Sequence, residues 1–372
     1  MSKVSTKNKK LLNILIIFLI LADFFIFVSL LFTMNQKLQP SLLTRTTKPA
    51  TNIQKSTHPI PSPATIPTSH IIPLRHHTYQ TFNNCGPAAL SMALSYFDIE
   101  KSQFELGQAL RPYQNSIGDN DDKSTTLEEL AEKSTEFGLI PFHRPNGNAT
   151  LLKHFISLDI PVIARTLTNI NEDIGHYRVV RGYTTNTFIQ DDSLQGKDLQ
   201  YSPEEFDALW KQFNYEYLVL VPPEILDQVK IILGEEVDPQ VSWAKAVKAS
   251  ELQLAQNPQD IYARFNLSVA LFNTGDFQSS VNEYEKVANS LPFRTLWYQT
   301  EPIEAYYELG QYDKVFEITD RILNNHNRAF SELYILRGDI YAKQGDQTKA
   351  REEYDKAKLY NTNISTPNAT PQ

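Results

Sequence analysis

The chain holds one cysteine in 372 residues, and the stretch around it constrains the fold more than any other. It reads Gln80-Thr81-Phe82-Asn83-Asn84-Cys85-Gly86-Pro87-Ala88-Ala89-Leu90 and continues Ser91-Met92-Ala93-Leu94-Ser95-Tyr96-Phe97. Apolar side chains at 90, 93, 94 and 97 describe one buried helix face. The Gly-Pro pair after the cysteine suits a first helical turn, where the missing proline N–H costs nothing. Cys85 is therefore expected at or just before a helix N-terminus. There the unpaired N–H groups and the helix dipole stabilise a thiolate, the form that cysteine chemistry needs. A lone cysteine can also be one more small buried apolar residue. Its neighbours weigh against that reading.

One cysteine excludes an intrachain disulfide and a thiolate metal cluster. A net charge of −8 gives no bulk electrostatic reason to expect a nucleic-acid partner. The expected chemistry needs no metal or organic cofactor. Residues 1–10 are basic through Lys3, Lys7, Lys9 and Lys10, and they precede an apolar run of 22 residues at 11–32. That run is broken by Asn13, Asp23 and Ser29, and it can span a hydrocarbon core of about 30 Å. No Ala-x-Ala cleavage site follows it. An uncleaved transmembrane signal anchor is expected, with a cytoplasmic N-terminus and the globular domains outside the cytoplasmic membrane. Residues 33–72 are rich in Pro, Thr and Ser and read as a semi-stiff tether.

Residues 73–222 alternate helical and strand patterns. Helices are expected around 103–110, 126–133 and 151–158. Strands are expected at 139–143, from Pro161, and at 176–183, 187–191 and 216–221. Helices first and a mostly antiparallel sheet second argue for an α+β domain. The polar loop at 117–126 lacks the glycine and terminal glutamate of an EF-hand. Three histidines follow the cysteine in this domain. His143 precedes Arg-Pro and His154 sits in an amphipathic helix, whereas His176 opens the strand Gly175-His176-Tyr177-Arg178-Val179-Val180-Arg181-Gly182-Tyr183. A histidine at a strand start beside a cleft can take a thiol proton and return it to a leaving amine. The next strand ends in Asp191-Asp192, so a carboxylate there can hold the imidazole tautomer. The pleat decides between the two, because their side chains face opposite ways. Asp192 is favoured. Five residues before the cysteine, Gln80 carries an amide able to point at an oxyanion.

A glutamine ahead of a helix-capping Cys-Gly resembles the papain-like cysteine peptidases. The pattern Gln-x-x-Asn-Asn-Cys-Gly-Pro-Ala, with Gly-His-Tyr-x-Val-Val-x-Gly-Tyr further on, is similar to family thirty-nine of those enzymes, which processes bacteriocin leaders, and most of all to its stand-alone branch. The resemblance covers about residues 73–222. It implies a papain-like fold with Cys85 as nucleophile, His176 as base and acid, Asp192 as orienting acid, and Gln80 with the Cys85 N–H at the oxyanion. Two features depart from the family. Gln80 stands five residues before the cysteine where many papain-like members have six, and no Gly-x-x-x-x-Gly-Lys-Ser/Thr motif of a fused exporter is present. Leader processing during export is therefore not expected.

After a connector at 223–242, Gly275, Gly310 and Gly345 recur every 35 residues, each followed by a polar residue and a helical pattern. Residues 243–361 resemble tetratricopeptide repeats, an all-α solenoid. Such stacks bind a peptide or protein in their groove, or else serve as a spacer or pack on the neighbouring domain. A polar tail closes the chain at 362–372. The whole reads as a membrane-anchored extracytoplasmic cysteine peptidase acting on a peptide or protein. The competing classes are a non-catalytic peptide-binding scaffold and a thiol acyltransferase.

Overall fold

The structure, a computed structural model, describes residues 66–113, 124–325 and 327–366. The basic N-terminus, the expected anchor at 11–32, nearly all of the tether, most of the polar loop and part of the tail lie outside them. Among the described residues no helix is long and apolar enough to cross a membrane.

The central helix α1 (Cys85–Ser95) is buried at every position from 85 to 94. Its small residues explain this: Ala88, Ala89 and Ala93 let neighbouring elements approach closely from all sides, so no polar face is needed. Two short helices flank it. Both α2 (Gln103–Leu110) and α3 (Leu127–Thr135) begin with capping boxes, Ser102 with Glu105 and Thr126 with Glu129.

Among the described residues seven strands form one sheet. In spatial order β2 (Ile140–Arg144), β7 (Tyr217–Val221), β3 (Val162–Leu167), β4 (Gly175–Tyr183), β5 (Phe188–Asp192) and β6 (Gly196–Tyr201) lie side by side, and β1 (His70–Ile71) also pairs with β4. Every pairing is antiparallel. The pleat sorts the side chains between two cores. Val162, Ala164, Val180, Tyr217 and Val219 meet Leu152, Phe155 and Phe206, which lie on α4 (Ala149–Ile156) and α5 (Pro203–Trp210). Ile163, Tyr177, Val179, Leu218 and Leu220 meet the α1–α3 layer. The expected order of helices first and sheet second is broken by α5, which sits between β6 and β7 with Pro203 at its start and Ser202 as cap.

The expected connector at 223–242 is partly helical. It contains α6 (Leu226–Leu233), whose Val229 and Leu233 stand one turn apart and enter the sheet core. The first repeat helix, α7 (Pro239–Gln256), begins four residues before the expected boundary. Next come α8 (Ile261–Asn273), α9 (Phe277–Glu285), α10 (Thr295–Tyr298), α11 (Glu301–Glu308), α12 (Tyr312–Leu323), α13 (Ser331–Lys343) and α14 (Gln347–Tyr360). Gly275, Gly310 and Gly345 follow α8, α11 and α13 at φ of +84°, +69° and +85°, a backbone that only glycine adopts without strain. The middle hairpin is irregular. Its first helix is interrupted at Gln299 and Thr300 and restarts as α11, with Pro302 in the first turn.

The described residues form one compact unit. Lys211 pairs with Asp260 at 2.5 Å, and the Asn266 amide donates to the Lys211 carbonyl at 2.7 Å. Arg294 pairs with Asp173 at 2.5 Å. At the far end of the stack the Asn363 amide donates to the Ala109 carbonyl at 2.9 Å, and Tyr360 meets Tyr113 edge-on. The repeats therefore touch both the β-sheet side and the α2 side of the α+β domain. Packing on the neighbouring domain, rather than spacing, is what this stack does.

Candidate active site

Cys85 is the first residue of α1 and is 4% exposed. The residue after it has no room for a side chain. A Cβ on Gly86 would lie 1.9 Å from the Thr125 hydroxyl, so glycine is what lets the segment at Thr125 close over the helix start. Asn84, just before the cysteine, is held from two sides. Its amide donates to the Gln103 carbonyl at 3.0 Å, and its oxygen accepts from Arg111 Nη1 at 3.3 Å. The same guanidinium nitrogen donates to the Phe82 carbonyl at 3.3 Å. Arg111 thus fixes the turn that presents the sulfur. Burial lowers the Arg111 pKa to about 10, and the negative charge that Cys85 can carry works in the opposite direction.

His176 reaches the sulfur from β4. The imidazole is 2% exposed, and its Nε2 donates to Asp192 Oδ1 at 2.8 Å. That bond leaves Nδ1 as the free ring nitrogen, and the charge that the nearby Cys85 can carry favours the protonated ring. Burial by itself pulls the imidazole pKa down. The Asp192 bond and the Cys85 contact outweigh it and raise the value to about 9.

Asp192 sits at the end of β5, opposite Arg178 of β4. Its Oδ1 also accepts the backbone N–H groups of Leu194 and Gln195 at 2.7 and 2.9 Å, and Arg178 Nε stands 3.0 Å from Oδ2. Burial pushes this carboxyl up, yet the His176 bond and these cationic and N–H partners hold it down at about 2. Arg178 is fully buried and anchored by the Thr166 hydroxyl and the carbonyls of Leu167 and Thr168. The adjacent Asp191 faces the other way and pairs with Arg181 at 2.8 Å. The pleat separates two carboxylates that are neighbours in sequence, and the one on the His176 side is Asp192.

Gln80 lies on the loop before α1. Its backbone N–H donates to the Ser193 carbonyl, and its side-chain oxygen accepts from the Ser193 hydroxyl at 2.8 Å. The amide nitrogen is left without a partner among the described residues. The other candidates stand apart. His143 bonds Glu216 at 3.1 Å, and His154 lies on α4. Among the described residues no set of His, Cys, Asp and Glu is arranged to hold a metal ion.

Residues 69–218 match the model of the Peptidase_C39 like family, and residues 331–363 match that of the Tetratricopeptide repeat. Residues 69–218 are a peptidase C39-like domain. Among solved structures, the peptidase domain of Streptococcus ComA, titled a bifunctional ABC transporter of a quorum-sensing pathway, is 22% identical with a TM-score of 0.33. That match covers 40% of this chain and 98% of that one. A putative C39-like peptidase from Bacillus anthracis is 14% identical with a TM-score of 0.35, over 41% of this chain and 97% of that one. A tetratricopeptide-repeat protein of Thermus thermophilus is 19% identical with a TM-score of 0.27, over 37% and 75%. No curated protein matches the chain.

Sequence reasoning did not single out Arg111, Arg178 or Tyr298. Arg178 had a signal. It stands two residues after His176 on one strand face, opposite a carboxylate. Arg111 had none, because its role depends on α2 folding back over the loop before α1. Tyr298 belongs to the repeats yet packs its ring against Gly175, where an added Cβ would meet it at 3.0 Å. The repeat layer thus comes within one residue of the peptidase domain's histidine.

Proposed function

We propose that this protein is a cysteine peptidase hydrolysing amide bonds in peptide or protein substrates. The observation that carries this is the buried set of Cys85, His176 and Asp192 at the N-terminus of α1. His176 Nδ1 takes the thiol proton, and the sulfur attacks the substrate carbonyl carbon. The tetrahedral oxyanion is bonded by the Cys85 N–H, a first-turn group with no helical partner, and by the Gln80 amide nitrogen. As the C–N bond breaks, the proton on Nδ1 passes to the leaving amine. Water then attacks the thioester with His176 as base, releasing the acid and restoring the thiol. Asp192 keeps Nε2 protonated throughout, so Nδ1 is the nitrogen that cycles.

The test is incubation of the full chain with a proteome-derived peptide library, with cleavage sites read by mass spectrometry. The reading predicts cleavages that vanish in Cys85→Ala and His176→Ala. Identical peptide profiles with and without the wild-type protein contradict it. Hydrolysis and acyl transfer separate in the same experiment when an added amine appears in the products.

The apolar run at 11–32 and the four lysines before it support a cell-membrane location, with residues 61–372 on the far side from a cytoplasmic N-terminus. A variant lacking residues 1–34 is then released from the membrane fraction. Equal sedimentation of both forms contradicts the anchor.

A further inference from the structure

Beside the catalytic loop lies a cavity of about 360 Å³ with walls from both halves of the chain. Gln80, Phe82 and Leu194 come from the peptidase domain, and Arg294, Trp297 and Asn327 come from the repeats. Its volume falls at the lower end of the range of about 300–1,000 Å³ typical of ligand pockets. Two observations give it a chemistry. First, Asn327 is 1% exposed, and neither its carboxamide oxygen nor its nitrogen has a hydrogen-bond partner among the described residues. A buried amide left this way is costly, and a ligand with one donor and one acceptor satisfies both atoms. Second, the Gln80 oxygen is taken by Ser193 while its nitrogen has no partner among the described residues. The remaining lining is uncharged, with Thr81, Asn83 and Ser124 beside aromatic and aliphatic side chains, and Arg294 is paired with Asp173 at 2.5 Å.

We propose that the repeats complete the substrate cleft and that Asn327 binds the main chain of an extended substrate peptide, with Trp297 packing on one of its uncharged side chains. A peptide group offers the complementary N–H and C=O, and the uncharged lining selects against a charged residue there. Asn327 acts on substrate binding and takes no part in activating the sulfur. The inference rests on the peptidase reading of the site and deepens it, since it assigns substrate recognition to the repeat domain. The Arg294–Asp173 pair and the packing of Tyr298 on Gly175 hold this wall in place.

The test compares alkylation of Cys85 in the full chain by reagents of different reach. Iodoacetamide needs the sulfur alone. A leucyl-leucyl chloromethyl ketone and a leucine-bearing epoxysuccinyl peptide also need the cleft, and between them they extend to both sides of the sulfur. In Asn327→Leu at least one peptidyl reagent is expected to slow tenfold or more, while the iodoacetamide rate stays within twofold of wild type. The melting temperature of that variant is not expected to fall, because leucine removes an unpaired polar group. Trp297→Ala gives a second variant with the same split between reagents. Peptidyl rates unchanged in both variants overturn the proposal, as does a wild-type protein that takes iodoacetamide but neither peptidyl reagent. An iodoacetamide rate indifferent to His176→Ala overturns the peptidase reading instead, so the two failures are distinct.

Discussion

The corner built from Cys85, His176 and Asp192 and the wall that the repeats contribute to the cavity beside Gln80 are held in opposite ways. At the corner the side chains that surround the imidazole are engaged. His176 is bonded to Asp192, Asp192 to two backbone N–H groups, and Arg178 to a hydroxyl and two carbonyls. At the wall, Asn327 is buried and its carboxamide has no hydrogen-bond partner among the described residues. A satisfied network fixes one geometry, which proton transfer requires. Unsatisfied groups leave binding capacity for something else. The contrast between the two regions is one between positioning and recognition.

The largest effects are expected at the corner. Cys85→Ala abolishes turnover, and His176→Ala lowers kcat by roughly 10²–10⁴-fold or more, measured as peptide cleavage at pH 7. Asp192→Asn is next. It removes the charge facing Nε2, so the alkaline limit of kcat/KM, set by His176 at about 9, moves toward the ordinary imidazole value of 6.5. The same substitution costs about 3–5 kcal/mol in urea unfolding, because Arg178 stays buried with its carboxylate lost. That stabilisation has a pH window. The Asp192 share is full above 3.8 and disappears as pH falls through about 2; the His176 share is full below 6.5 and disappears as pH rises through about 9. Asp191→Asn, one residue away on the opposite face, leaves the pH–rate profile in place. If Asp191→Asn moves that limit and Asp192→Asn does not, the assignment of the orienting acid is wrong.

Arg111 sharpens the comparison from the loop side. Arg111→Gln removes a positive charge near the sulfur and the bonds to Asn84 and Phe82. The expected result is about a tenfold slower iodoacetamide reaction at pH 7, partly restored in Arg111→Lys, which keeps the charge.

The smallest effect is expected where the repeats join the peptidase domain. Glu301 is pushed up to about 8 by burial and then by the charges of Glu216 and Glu304. A raised carboxyl contributes stability that is full below 4.5 and is lost as pH rises through 8. Each pH unit in that window costs at most about 1.4 kcal/mol. Glu301→Gln flattens the dependence and raises the melting temperature at pH 8.5 relative to wild type. Parallel stability curves for the two proteins would remove Glu301 from this role.

Legibility in the sequence follows the same division. The helix start at Cys85, the strand opening on His176 and the Asp191-Asp192 pair were readable because local rules fix them. Proline suits a first turn, a strand alternates its faces, and the carboxylate bonded to His176 ends the neighbouring strand. The glycine period of 35 announced the repeats for the same reason, since each glycine takes a left-handed backbone after its helix. What the chain did not announce depends on contacts between residues far apart in sequence. Arg111 reaches back 27 residues to Asn84, and Ser193 holds Gln80 across 113. The break at Gln299 and Thr300, which separates α10 from α11, looks locally like an imperfect repeat. Only packing against Gly175 gives it meaning. The helix inside the connector at 223–242 leaves little trace in the sequence because its two apolar anchors, Val229 and Leu233, are too few to stand out as a periodic pattern.

One measurement bears most directly on the claim that Cys85 and His176 act as a pair. It is the rate of Cys85 alkylation by iodoacetamide from pH 4 to 11, in wild type and in His176→Ala. The account predicts reaction at pH 6–7 in wild type that is at least tenfold faster than in the variant, with a second inflection near pH 9 that the variant lacks. Two superimposed curves, each rising once near the free-thiol value of about 8.5, would contradict it.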